Sequence, residues 1–263
     1  KGVRHNIKTV EHKYHLIDTK EKRKELLLEL SKQEAVCFDT ETTGLNTRVA
    51  RLVGMSFSFR DHQAYYMPVP ENQHEADILL QKLKPVFENP QIRKIGQNLK
   101  FDIQVLMQYQ VGVEGELYDT MIAHYLIQPD LSHNMNYLAE VYLQYTPVAI
   151  EELIGKKGPG QKNMREVDLE SIKEYAAEDA DITWQLYPVL RKELDRLGLL
   201  PLAETIEMPL VKVLAELEQA GFNVSVETLK SYGDVWRSEL LYSEKVIFSL
   251  AGMPFNINSP RQL

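Results

Sequence analysis

The chain has 263 residues, 44% of them hydrophobic and 26% charged, an ordinary globular composition that excludes a disordered or fibrous chain and leaves room for one large or two modest cores. No apolar run approaches the ~20 residues that span a bilayer and no charged-then-apolar leader opens the sequence, so no membrane partner is expected and a cytoplasmic setting is the default. The one cysteine, Cys37, excludes a disulfide framework, and the net charge of -8 argues against a broad basic face for duplex DNA, though not against an acidic enzyme that meets phosphates through metal ions.

Residues 1–24 carry eight Lys/Arg against three Asp/Glu, which leaves -13 on the remainder, so a basic lead-in precedes an acidic body. Residues 1–17 read as linker-like, and the chain reads as a fragment of something larger. Asp18 and Glu21 resemble a capping box before a short helix with Leu26, Leu27 and Leu30 on its apolar stripe. Ala35 to Phe38 are apolar throughout, which suits a central strand covered on both faces. Residues 51–59 and 63–69 are expected to pair as a hairpin. Asn72 opens a helix that Pro90 ends, residues 92–95 form a short strand, and residues 99–109 form the next helix. A strand or turn near Leu117 leads to Asp119, read as the N-cap of an apolar helix over 121–127. Helices follow at 134–143, from Asp168 to about Leu197, at 199–220 and at 226–250. Gly155 to Lys162 is a glycine-rich basic loop, read either as a mobile connector or as a clamp on a nucleic-acid backbone. The order of elements implies an α/β domain over 1–198 and a helical segment over 199–263.

The candidate chemistry sits where the apolar strand emerges. Asp39 and Glu41 are two apart, so both carboxylates point to one side of the sheet, where each would repel the other unless a cation lies between them. Hard oxygen ligands select Mg²⁺ or Mn²⁺ over zinc. A lone pair of this kind reads equally as a solvated strand end. Further ligands come from Asn98/Asp102 and Tyr175/Asp179, each four apart and expected to share one helix face, with Ala176 and Ala177 small enough for close approach to the sheet.

In order, Asp39/Glu41, Asn98/Asp102 and Tyr175/Asp179 resemble the three motifs of the DEDD exonuclease superfamily in its tyrosine subclass. The stretches FDTETTGL, IGQNLKFD and YAAEDAD resemble those of the 3′-5′ proofreading domains of bacterial DNA polymerase I, as do DTMIAHYL and NYLAEVYL, while IEMPLVKVLAELEQAGFNV and FNINSPRQL resemble the start of a polymerase thumb. The resemblance implies a ribonuclease-H-like mixed β-sheet flanked by helices. It implies that Asp39, Glu41 and Asp179 hold one divalent metal, that Asp39 bridges to a second near Asp102, and that Tyr175 and Glu41 orient the attacking water. Thr40, Gln97, Asn98 and Lys100 would lie near the strand path, and Leu45 is either a wedge against the terminal base or a turn residue packed on the core. Ile150 falls where some relatives carry a stacking aromatic, and His133 either touches a phosphate or is an ordinary surface histidine. The implied activity is metal-dependent 3′-5′ removal of nucleotides from single-stranded or frayed DNA by a monomer that belongs to a longer polymerase chain, with no polymerase activity in this stretch. Its rivals are a ribonuclease D-like RNA exonuclease and a DNA-binding or structural module.

Overall fold

A computed structural model describes residues 5–262; residues 1–4 of the expected lead-in, and Leu263, lie outside the described residues. The apolar run forms strand β2 (Ala35–Thr42), with Val36, Cys37 and Phe38 buried. Before it come β1 (Lys13–Leu16) and helix α1 (Lys20–Leu30); after it come β3 (Leu52–Arg60) and β4 (Gln63–Pro68). Then follow α2 (Gln73–Gln81), α3 (Lys84–Phe87), β5 (Arg93–Gly96), α4 (Leu99–Met107), β6 (Leu117–Asp119) and α5 (Thr120–Ile127). Among the described residues the six strands make one mixed sheet in the order β1-β4-β3-β2-β5-β6. β2 is central, antiparallel to β3 and parallel to β5, which is why its apolar run is continuous rather than alternating. Phe38 and Phe57 meet Phe87 of α3 at ring distances of 4.9 and 6.3 Å.

The second half is helical: α6 (Met135–Leu138) running into a π turn to Leu143, α7 (Ile150–Ile154), α8 (Leu169–Arg196), α9 (Leu200–Leu202) with a π turn to Glu207, α10 (Met208–Ala220) and α11 (Val226–Ala251). α8 crosses the sheet and packs on β1 through β5. Ala176, Ala177 and Ala180 are fully buried there, as short side chains allow where a helix backbone lies close to a sheet.

Several local expectations are corrected. The lead-in contains a strand: β1 pairs parallel with β4, from Lys13 opposite Gln63 to Leu16 opposite Tyr66, and four residues are too few for their alternation to stand out. α1 is capped by Thr19, whose side chain accepts from the Lys22 N–H at 3.2 Å, while Asp18 pairs with the Lys22 side chain instead. The helix from Asn72 breaks into α2 and α3, because Pro85 has no N–H to continue the hydrogen-bond ladder. The helix over 134–143 becomes α6 plus a π turn, and that over 199–220 begins as α9 and a π turn before α10. The first compact unit runs through Gln219, with Met208, Val211 and Ala215 of α10 buried in its core. The second unit runs from Ala220; in it Ser225 caps α11 through the Thr228 N–H, Gly252 at φ 72° ends it, and no residue of α11 is buried.

Candidate active site

β2 delivers two acids to one spot. Small residues stand across the antiparallel ladder from both: Ser56 opposite Asp39 and Gly54 opposite Glu41. A Cβ on Gly54 would lie 2.1 Å from the Tyr66 hydroxyl oxygen, so the missing side chain is what lets the Tyr66 ring lie there. The ladder slips register between Glu41 and Thr42, a bulge that ends regular pairing just past the second acid. α8 supplies the third group. Asp39, Glu41 and Asp179 each bring a carboxylate oxygen to within 4.8 Å of the other two.

The electrostatics of this cluster are unfavourable as they stand. Burial pushes the Asp39 carboxyl up to about 7. Burial, then repulsion from Asp39, pushes Glu41 well above the usual carboxylate range, and burial with the Asp39 and Glu41 charges does the same for Asp179. Asp179 Oδ1 is buried with no hydrogen-bond partner. Such an oxygen is costly unless something accepts its lone pairs. Three convergent carboxylates with an orphaned oxygen fit a hard divalent cation, which would replace the retained protons.

Asp102, the fourth expected acid, stands beside the cluster rather than within it. It is 2% exposed, and burial followed by the Asp39 charge raises its pKa. Its Oδ1 accepts two hydrogen bonds from one residue, the Thr40 N–H at 3.0 Å and the Thr40 hydroxyl at 2.5 Å. Thr40, expected on the strand path, is thus buried and turned toward Asp102. The start of α4 is fixed in turn by Asp119, whose carboxylate accepts from the N–H groups of Asn98 (3.1 Å), Leu99 (2.7 Å), Met121 (2.9 Å) and Ile122 (3.3 Å). One buried acid therefore caps α5, as expected, and also ties down α4. Asn98 is not on the helix face shared with Asp102: it flanks α4 in the left-handed conformation (φ 61°, ψ 46°), which asparagine tolerates, and makes no side-chain cap.

Tyr175 and Asp179 share a face of α8. Burial first, then the carboxylates of Asp179, Glu41 and Asp39, hold the Tyr175 hydroxyl far above its ordinary pKa, so it remains a neutral O–H donor. The neighbouring acids of α8 serve other faces. Glu178 accepts from the Tyr145 hydroxyl (2.5 Å) and the Val148 N–H (2.7 Å), and Asp181 from the Tyr14 hydroxyl (2.9 Å), the His62 N–H (2.8 Å) and Gln185 (2.9 Å). These anchors were not singled out from the sequence. Their signal was three acids within four residues of a helix whose alanines mark it as buried, since at about 100° per residue they cannot share one solvated face.

The remaining residues expected near the strand are scattered. Leu45 is 91% exposed in the turn after β2, which removes the core-packing reading. Gln97 is committed to protein partners, donating to the His133 carbonyl at 2.8 Å and accepting from the Thr120 hydroxyl. Lys100 forms an ion pair with Glu218 at 2.6 Å. His133 turns Nδ1 to His124 Nδ1 at 2.7 Å, and burial with that neighbour lowers the His124 pKa. Ile150 is the first residue of α7, 38% exposed, and residues 155–162 form an exposed loop without regular structure.

Residues 14–195 match the model of a 3′-5′ exonuclease family. The chain is similar to DNA polymerase I of Borreliella burgdorferi, with 37% identity over 255 residues, covering 95% of this chain and 27% of that protein. It therefore spans about a quarter of the length of that curated relative. Among solved structures, Brucella melitensis NrnC superposes with a TM-score of 0.64 at 25% identity over 81% of this chain and 95% of its own. The POL domain of Pol1 from M. smegmatis, solved with DNA primer-template and dNTP, superposes with a TM-score of 0.70 at 20% identity over 94% of this chain and 39% of its own, a likeness of fold.

Proposed function

Since the chain belongs to the 3′-5′ exonuclease family and resembles DNA polymerase I over nearly its whole length, we propose that it removes nucleotides from the 3′ end of single-stranded or frayed DNA in a divalent-metal-dependent reaction. The observation that carries this reading is the convergence of Asp39, Glu41 and Asp179 oxygens within 4.8 Å. In this reading the chain is the proofreading part of a longer cytoplasmic polymerase. No helix among the described residues is long and apolar enough to cross a membrane.

Asp39, Glu41 and Asp179 would hold one Mg²⁺ or Mn²⁺, and Asp39 with Asp102 would hold a second. When bound, the pair supplies Lewis-acid stabilisation of the charge that develops on the phosphate and on the leaving oxygen. The chain's own groups do the rest. Thr40 keeps one Asp102 oxygen occupied and so fixes which oxygen faces the site. The neutral Tyr175 hydroxyl and the Glu41 carboxylate orient a water toward the phosphorus. Attack breaks the bond to the 3′ oxygen, and a nucleoside 5′-monophosphate leaves. Leu45, exposed in the turn after β2, would press on the terminal base in this reading.

The test uses 5′-labelled single-stranded DNA and RNA of matched sequence, with Mg²⁺ and with chelator. Stepwise shortening of DNA from its 3′ end, lost with chelator, is expected. Preferential shortening of RNA would favour the RNA-trimming reading, and binding without cleavage would favour a DNA-binding module.

A further inference from the structure

Between α1 and α2 lies an open groove of about 610 Å³ that contains no residue of the acid cluster. α1 lines it with Lys20, Arg23, Lys24 and Leu27. α2 lines it with Glu75, Ile78, Leu79 and its C-cap Lys82. Both sets follow the spacing i, i+3, i+4, i+7, so each helix turns one face to the groove. The floor is aliphatic: Leu79 is buried, whereas Ile78 is 47% exposed. The rim is cationic, with four Lys/Arg against one carboxylate, on a chain whose net charge is -8.

These cations lack the partners their neighbours have. Lys20, Arg23 and Lys24 fall in the first five residues of α1, at the positive end of the helix dipole, where acids rather than bases are stabilising. Lys22 offsets this by pairing with Asp18 at 2.8 Å, and Lys84, just past α2, pairs with Glu88 at 3.8 Å. Among the described residues Lys20, Arg23, Lys24 and Lys82 form no such pair. The Nε of the half-buried Arg23 is shut from solvent with no hydrogen-bond partner, a cost that a carboxylate drawing the guanidinium toward it would remove.

An aliphatic floor between unpaired cations has one natural complement, and we propose that this groove docks an acidic amphipathic helix of a partner protein. Its apolar stripe would lie on Leu27, Ile78 and Leu79 while its carboxylates meet the four cations. Two parallel-running side-chain stripes form the kind of channel into which a third helix packs, and helix-in-groove recognition reads such i, i+3, i+4, i+7 anchors. The 11 residues of α1 extend about 16 Å, so a partner helix of about three turns covers them. A nucleic-acid strand is a poorer match, because its bases stack on aromatic faces and the described lining of the groove has none. The inference is independent of the exonuclease reading.

The test is fluorescence anisotropy on the 263-residue chain with a labelled helical peptide of about 14 residues made of Glu, Ala and Leu, its leucines at i, i+3, i+4 and i+7. A second peptide of the same composition has its leucines spread around the helix, and the third probe is a labelled oligothymidylate in chelator. The one-faced peptide is expected to bind with a Kd on the order of 10 μM, and the spread peptide about tenfold more weakly. Ile78→Asp should weaken the one-faced peptide by about tenfold at low and high salt alike, since it removes apolar contact. Lys20→Glu with Lys24→Glu should weaken it by about tenfold at low salt and much less at 1 M salt, where charges are screened. Lys230→Glu with Lys245→Glu, an equal charge change on α11, should leave it unchanged. Ile78 and both lysines are partly or wholly exposed, and thermal midpoints report that the variants fold. No binding of the one-faced peptide, equal binding of the spread one, or binding that survives Ile78→Asp would overturn the proposal. If the Lys20/Lys24 change weakened the oligothymidylate as much as the peptide, the groove would be a nucleic-acid surface and the peptide assignment would fall.

Discussion

Thr40 grips a single oxygen of Asp102 with two donors, its backbone N–H at 3.0 Å and its hydroxyl at 2.5 Å, and so decides which Asp102 oxygen is left for the site. The two residues are 62 apart in sequence and meet because α4 packs against β2. Thr40→Val keeps the shape and the N–H bond but removes the hydroxyl. One buried hydrogen bond to a carboxylate contributes about 1.5–3 kcal/mol, so we expect kcat to fall roughly 10- to 100-fold with little change in DNA affinity. Thr40→Ser should restore most of the rate. A Val variant with wild-type kcat would remove Thr40 from the positioning of Asp102.

The raised carboxyl pKa values give the metal-free protein a definite pH dependence. An unfolded aspartate titrates near pH 4, whereas burial holds Asp39 at about 7 and raises Glu41, Asp102 and Asp179 in the same direction. The folded state therefore binds more protons, and the stability this gives is fully present below about pH 4 and is lost as pH rises through 7. In chelator the thermal midpoint should fall between pH 5 and pH 8. Mg²⁺ should restore it at pH 8 and have little effect at pH 5, where protons compete. Asp39→Asn should remove both the slope from this group and the Mg²⁺ response, and abolish cleavage. A metal-free midpoint that climbs over this range in wild type and in Asp39→Asn alike would show that these carboxyls are not held protonated.

Tyr175→Phe deletes one hydroxyl and almost no volume. If that hydroxyl orients the water, single-turnover cleavage should slow by about 100-fold, the scale of one preorganised hydrogen bond in a water-poor site, with an unchanged Mg²⁺-induced shift in thermal midpoint. An unchanged rate at saturating DNA would leave Tyr175 with a packing role only.

Asp119 gathers four backbone N–H groups at the starts of two helices. Asp119→Ala strands all four in a buried place, so we expect a loss of about 3 kcal/mol or more by urea unfolding. Because α4 carries Asp102, Mg²⁺ affinity should weaken as well. A loss within about 0.5 kcal/mol, ordinary for a surface position, would mean that other groups satisfy these donors.

What the sequence determined by itself was set by short-range rules. Period-2 alternation puts Asp39 and Glu41 on one side of β2, a four-residue step puts Tyr175 with Asp179 on one side of α8, and Asn72, Asp119 and Asp168 each cap the helix that follows them. Those patterns are local, so they survive in a string of letters. Tertiary structure alone decided the matters that depend on which distant groups meet. Thr40 reads as any strand residue until Asp102 is placed beside it, Lys100 reads as a free cation until α10 delivers Glu218, and Gln97 reads as a free amide until the 129–134 loop brings the His133 carbonyl to it. β1 was invisible because four residues carry too little periodicity, and its pairing comes from β4 rather than from its own propensity. Whether a polar side chain faces a ligand or another part of the chain is a question of long-range partners, which spacing along one element cannot answer.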